Sequence, residues 1–277
     1  MASEDEKTQP GETPRPKQPP VPERYVGLWQ RIILQSDSMP ADVTSNVFWL
    51  QTRSWHADIR VPAGRPDFSQ LPALQACNRE RLLWLADQQG FAGLTEVEGD
   101  ICSWERKTDF RPPTGRRDMG RMVFIDPDTA IETGIEAHYL EIWERVPGGD
   151  GMTAVLQRLA DSNRIAEPAE WLMFAGEYAM HVRSRLRSHL PRAESLGALA
   201  LSEEADDAAL RALVDFEISF ARQTPGGWRV QLSTLPFREG NVLLSQERLP
   251  QPTDGVLRLG GARPSRWQVL EWIDPDT

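Results

Sequence analysis

Residues 54–110 place an alternating strand, a helical stretch and a returning pair of strands in immediate succession, which leaves few folds open to the chain. Trp55, Ala57, Ile59 and Val61 alternate with His56, Asp58 and Arg60, the period of two expected of a half-buried strand. Leu71, Leu74, Cys77, Leu82, Leu85 and Ala86 then recur at helical spacing until Gly90 ends the run. Strand signals return over residues 91–96 and 100–107. Upstream, residues 25–34, 47–51 and 55–61 are rich in β-branched and aromatic side chains with only short polar breaks between them. The chain therefore opens as an antiparallel meander rather than as βαβ units. Residues 119–125, 130–134 and 138–146 bring the first half to about eight strands, enough to close a small barrel.

The same order recurs in weaker form. Strand candidates at 171–175 and 178–185 precede a helical stretch at 195–214, for which Ser202 and the acidic residues after it offer a start. Strands follow at 216–223, 228–235, 242–248 and 267–273. Laying residues 57–60 over 180–183 aligns Asp58 with His181 and Arg60 with Arg183. It also brings residues 103–106 near 219–222, and residues 139–143 near 268–272. The reading is an all-β antiparallel chain, pseudo-duplicated, with one helix in each half. Its first β domain spans residues 25–147 and its second spans 152–277. A chance likeness between β-rich stretches is the alternative.

Residues 1–24 are rich in Pro, Glu, Lys and Gln and nearly devoid of apolar side chains, so burial cannot offset the entropy of ordering them. A disordered tail, removable without loss of fold, is expected there. With 277 residues, 40% hydrophobic and 26% charged, the chain can bury one large core or two small ones. A formal net charge of -10 argues against nucleic acid or an anionic membrane as partner, since either requires clustered Lys and Arg. Arg111, Arg116, Arg117 and Arg121 do cluster, but outside any P-loop pattern, and read as a solvated loop. No run is long and apolar enough for a bilayer span or a secretion signal. Cys77 and Cys102 form no C-x-x-C pair. A reduced, cytoplasmic setting is expected.

The Gly27-Leu28-Trp29 start of the first strand resembles the Gly-x-Trp signature of the calycin superfamily, whose lipocalin-like members are antiparallel barrels. The resemblance implies that Trp29 plugs one end of a barrel and that the interior is ligand-sized. Two features depart from it: a helix interrupts each half, and an export signal is missing. Calycin-like phenolic acid decarboxylases would further allow Tyr, Arg and Glu to transfer protons and place charge inside such a barrel.

Motifs for other chemistries are missing. His56, His138, His181 and His189 make no H-E-x-x-H pair, and G-x-S-x-G is absent, so no metal site or serine nucleophile is expected. A heme held through one histidine needs only a single axial ligand, but nothing in the sequence asks for one. No cofactor is expected. What remains is the side-chain content of the strands. If the polar face of residues 55–61 looks into a barrel, His56, Asp58 and Arg60 form a row suited to fixing an anion and moving a proton. If it looks at water, as half-buried antiparallel sheets usually arrange, the trio is a solvated face. Trp104 with Arg106, and Tyr139 with Glu141 and Trp143, are the mixed faces expected to line an interior. Packing of the tryptophans with snorkelling charges is the plain alternative. Candidate catalytic residues are thus Arg60, His56, Asp58, Tyr139 and Glu141, and candidate ligand-binding residues are Trp55, Trp104, Arg106 and Trp143. Three readings follow: a barrel binding a small apolar or aromatic ligand, a cofactor-independent lyase, isomerase or hydratase, and a protein-interaction scaffold. An interior cavity separates the first two from the third.

Overall fold

The computed structural model describes residues 19–37, 39–160, 168–187, 189–246, 248–260 and 264–274. β1 (Gly27–Ser36), β2 (Met39–Asp42), β3 (Asn46–Gln51) and β4 (Trp55–Val61) run in antiparallel succession. After α1 (Arg79–Ala86) the meander continues through β5 (Gln89–Glu98), β6 (Ile101–Asp109), β7 (Met119–Asp126), β8 (Thr129–Gly134) and β9 (Tyr139–Val146). β9 pairs back onto β1, from Leu28 opposite Val146 to Ser36 opposite Tyr139, so eight of these strands close a barrel. β2 is a short hairpin extension of β1.

The second half contains β10 (Thr153–Arg158), β11 (Glu170–Ala175), β12 (Tyr178–Arg183), α2 (Leu196–Ser202), α3 (Asp207–Val214), β13 (Glu217–Thr224), β14 (Gly227–Ser233), β15 (Val242–Leu244), β16 (Val256–Leu259) and β17 (Ser265–Ile273). β10 takes the part of β1, pairing with β11 on one side and β17 on the other, and the helices fall between β12 and β13 as α1 falls between β4 and β5. Among the described residues β15 and β16 do not pair, so this sheet stays an open half-barrel. The chain is all-β and antiparallel, a closed barrel joined to a half-barrel built in the same order.

Several local readings are corrected. The helical stretch of the second half splits in two: Ser202 closes α2, its hydroxyl bonding back to the Leu199 carbonyl, and Asp206 caps α3 by accepting from Ala209 N at 2.8 Å. Between them Glu204 takes φ 48°, which a continuing helix does not allow. Residues 103–106 lie on β6 but residues 219–222 lie on β13, the counterpart of β5, so that part of the internal alignment fails. β10 escapes the sequence reading because Thr153, Ala154, Val155 and Leu156 are all buried, leaving no alternation to read. Packing also starts before Tyr25: Val21 is buried and donates its backbone N–H to the Arg53 carbonyl. Val21 therefore belongs to the packed chain, its neighbours in 19–24 are exposed, and residues 1–18 of the expected tail lie outside the described residues.

The core that decides the architecture lies between the two sheets. Leu28, Leu50, Ala57 and Ile59, on the outer face of the barrel, share one cluster with Met173, Met180, Ile218 and Phe220 of the half-barrel. Phe48 stacks on Phe220 with ring centroids 4.7 Å apart. Gly90 is required at this seam, since a Cβ there would sit 2.7 Å from Ile218 Cδ1 and 2.8 Å from the Asp58 carbonyl oxygen. α1, capped by Asn78, adds Leu82 and Leu85 to the same cluster. Each such side chain contributes roughly 1.5–3 kcal/mol on burial. Glu271 of β17 accepts from Arg53 N and Ser54 N, at 2.9 and 3.0 Å, and so ties the β3–β4 turn to the half-barrel.

Because one core serves both sheets, they should unfold together. We expect coincident tryptophan-fluorescence and circular-dichroism transitions in urea, with Ile59→Ala lowering stability by about 2–5 kcal/mol. Two separated transitions, or a loss under about 1 kcal/mol, would mean that the halves are independent.

Candidate functional site

The half-barrel covers the outer, apolar face of β4, and strand alternation then turns His56, Asp58 and Arg60 into the closed barrel. The arrangement in which they face water is ruled out: His56 and Asp58 are 0% and 2% exposed. Trp55 lies on the other face, packed against the inter-sheet core, and so is not brought to the interior with the other candidates.

Inside the barrel, Trp29, Trp49, Phe91, Trp104 and Trp143 form one cluster. Trp29 is fully buried beside Tyr25, whose carbonyl accepts from its indole N–H at 2.8 Å, and Arg145 lies over its ring at 4.3 Å. Among these rings sits a network of charge. Arg60 forks Asp58, with Nε 2.8 Å from Oδ1 and Nη2 3.1 Å from Oδ2. Its Nη1 donates to Glu141 Oε1 at 3.1 Å, and Arg31 Nη1 donates to the same oxygen at 2.8 Å. Arg31 also reaches Asp42 at 2.7 Å. Glu141 Oε2 has no hydrogen-bond partner among the described residues. Burial pushes the Asp58 carboxyl up, but the two-toothed fork is carboxylate geometry, and Asp58 and Glu141 hold the Arg60 guanidinium charged although burial alone would lower its pKa. We read the pair as ionised.

Glu132, on β8, accepts from Tyr139 Oη at 2.6 Å and from Trp143 Nε1 at 3.0 Å. Burial, and then the neighbouring Glu141 charge, outweigh these donors and raise its pKa to about 8. His56 Nδ1 lies 3.0 Å from Thr95 Oγ1, whose hydroxyl donates to Gln51, so the imidazole is the neutral Nδ1–H tautomer. Burial lowers its pKa to about 3, which leaves it no proton to exchange near neutrality. Arg106 lies at the rim: its guanidinium stacks 3.6 Å from the Phe91 ring centroid and pairs with Asp109 and Asp118, each at 2.6 Å. A β-bulge between Ala92 and Gly93 sets this up, because the extra residue on β6 turns both Arg106 and Asp109 toward Phe91.

Trp49, Asp58, Arg60, Phe91, Trp104, Asp118, Glu132 and Trp143 enclose about 10 Å³, room for roughly one water molecule. This space as it stands is smaller than a ligand. A larger concavity, about 510 Å³, opens outside the barrel between Phe68 and Leu71 on one side and Pro236 and Phe237 on the other. Sequence reasoning missed Arg31, Trp49, Phe91, Asp118 and Glu132. Arg31 was within reach, two residues after Trp29 on one strand; the others required knowing which strands close the ring. Of the clustered arginines, Arg117 pairs with Glu136 and Arg111 with the Glu194 carbonyl, while Arg121, expected in a loop, lies on β7 and pairs with Asp100.

The half-barrel carries its own buried charge. His181, in the place of Asp58, bridges Glu170 at 2.8 Å and Glu217 at 3.1 Å. Burial alone would lower its pKa, but those two bonds raise it to about 9. Ser219 and Arg238 also donate to Glu217. No group of three or more His, Cys, Asp or Glu among the described residues is arranged to hold a metal ion.

No protein-family model and no curated protein matches the chain. Among solved structures it is similar to a lipocalin-like protein from Bacteroides uniformis ATCC 8492, with 11% identity and a TM-score of 0.30, over 44% of this chain and 99% of that one. No helix among the described residues is long and apolar enough to cross a membrane.

These pKa shifts predict a falling stability on the alkaline side. Between pH 4.5 and about 8 the folded protein holds a proton on Glu132 that the unfolded chain has released, and between 6.5 and about 9 the same holds for His181. Stability therefore declines with rising pH across both windows. His56 acts in the opposite sense, but only below 6.5. The melting midpoint should drop by several degrees from pH 6.5 to 9, and Glu132→Gln should shrink that drop. An unchanged drop in the variant would exclude Glu132 as its source.

Proposed function

We propose that the closed barrel binds a small, planar, largely aromatic molecule among Phe91, Trp49, Trp104 and Trp143, with Asp58, Glu141 and Tyr139 providing direction and Arg60 holding the two carboxylates in place. One observation supports this reading above the rest. Arg31, Asp58, Arg60, Glu132 and Glu141 are gathered inside the barrel, where apolar side chains would hold the fold at least as well. Charge concentrated against aromatic walls suits recognition better than stability. The free, buried Cys77 and Cys102 accord with a cytoplasmic setting.

Tryptophan fluorescence of the full chain, titrated with planar aromatic compounds of differing charge, tests the proposal. At least one class should quench saturably, with affinity falling tenfold or more in Trp104→Ala and in Asp58→Asn. If nothing quenches saturably, or if both variants bind as the parent does, the barrel is not the site.

A second reading, proton-transfer catalysis without a cofactor, is favoured by Glu132, a carboxyl with a pKa near neutrality in the lining of the same space. It requires that a bound compound be turned over and that Glu132→Gln stop turnover while leaving binding intact.

A further inference from the structure

The space is too small for a ligand as it stands. Arg106 is not part of its lining but packs against two residues that are, Phe91 and Asp118, and it can part from them into water. Its side chain is 32% exposed, and its partners Asp109 and Asp118 are 23% and 22% exposed, so water can solvate all three when they part. Arg60 and Arg31 differ. Asp58 and Glu141, which they hold, are 3% and 2% exposed, and either carboxylate would be stranded in the interior without its guanidinium.

The place Arg106 would vacate has a definite chemistry. It is a slot above the face of Phe91, beside Trp104, with the Asp109 and Asp118 carboxylates at its ends. A planar cation fits it by stacking on the negative face of the ring and donating to both carboxylates, as the guanidinium does. An anion does not fit. It would meet Asp109 and Asp118 unpaired, while the donors of Arg60 are turned to Asp58 and Glu141. Gly93, opposite Arg106, has no room for a side chain, since a Cβ would fall 1.9 Å from the Glu105 carbonyl oxygen; the approach of β6 that shapes the slot depends on that glycine.

We propose that Arg106 is a built-in occupant of a cation site, and that the barrel's ligand carries a planar amidinium- or guanidinium-like group which displaces it from Phe91, Asp109 and Asp118. This rests on the reading of the barrel as a small-molecule site and names its ligand class.

Three near-isosteric probes decide it: benzamidine, benzamide and benzoate, titrated against the full chain with tryptophan fluorescence as readout. In Arg106→Ala, benzamidine should bind at least tenfold tighter than the other two and tenfold tighter than it binds the parent, and adding Asp118→Asn should remove most of that gain. Benzamide or benzoate binding as well as benzamidine would overturn the ligand class while leaving the barrel as a binding site. Failure of every probe, in the parent and in the variant, would overturn both. Arg106→Met, which keeps the stem over Phe91, replaces the alanine variant if that does not fold. If neither variant folds, Arg106 is structural and the displacement idea is wrong.

Discussion

The inter-sheet core is the constraint on which the rest depends. Leu50, Ala57, Ile59 and Val61 must leave water, and the half-barrel supplies Met173, Met180, Val182 and Ile218 to cover them. Once the outer face of β3 and β4 is taken in this way, the period of two in a strand leaves His56, Asp58 and Arg60 nowhere to go but the barrel interior. A lone barrel with this sequence would put its apolar stripe in water. The second half thus determines the chemistry of the first without contributing a side chain to its interior cluster.

That interior is unusual in what it gathers. Bringing two charges out of water costs several kcal/mol per ion before their attraction is counted, and the balance is favourable only when each remaining donor and acceptor is satisfied. Here most are: Arg60 is forked, Glu132 has two donors, and the tryptophans Trp49 and Trp143 have acceptors in Gln51 and Glu132. Among the described residues Glu141 Oε2, His56 Nε2 and Tyr25 Oη are exceptions there. All three side chains lie almost fully out of water, so the unmet capacity is a standing cost. Around it the aromatic faces meet in T-shaped contacts, with Trp49 5.6 Å from Trp143 and 5.9 Å from Trp104.

The half-barrel shows what the same strand order does when it does not close. Its inward face is mostly apolar, with Leu156, Leu172, Phe174, Trp228, Leu257 and Trp267 in one cluster. The His181 network spans three neighbouring strands, through Glu170 on β11, His181 on β12 and Glu217 on β13. Two ties, one to each adjacent strand, pin the register, a structural use for a buried imidazolium. In the closed barrel the corresponding residue is Asp58, whose guanidinium partner Arg60 links β4 across the interior to Glu141 on β9.

The sequence by itself determined the succession of the eight barrel strands, the antiparallel class, the helix after β4 and the alternation of β4, because these depend on local periodicity and turn chemistry; β10 and β16 escaped it. It also held the signal for Tyr139, Glu141 and Trp143 as one face of β9, since residues two apart on a strand must share a side. Only the tertiary structure decided which face was inside. Trp55 and His56 are neighbours in sequence and indistinguishable as candidates, yet one packs against the half-barrel and the other lies in the barrel. Glu132 and Asp118 gain their meaning from partners that strand closure brings together, and no local pattern encodes closure. The size of the interior was equally out of reach, because a row of tryptophans and charges can line a cavity or fill it, and which of these happens depends on the packing of eight strands at once.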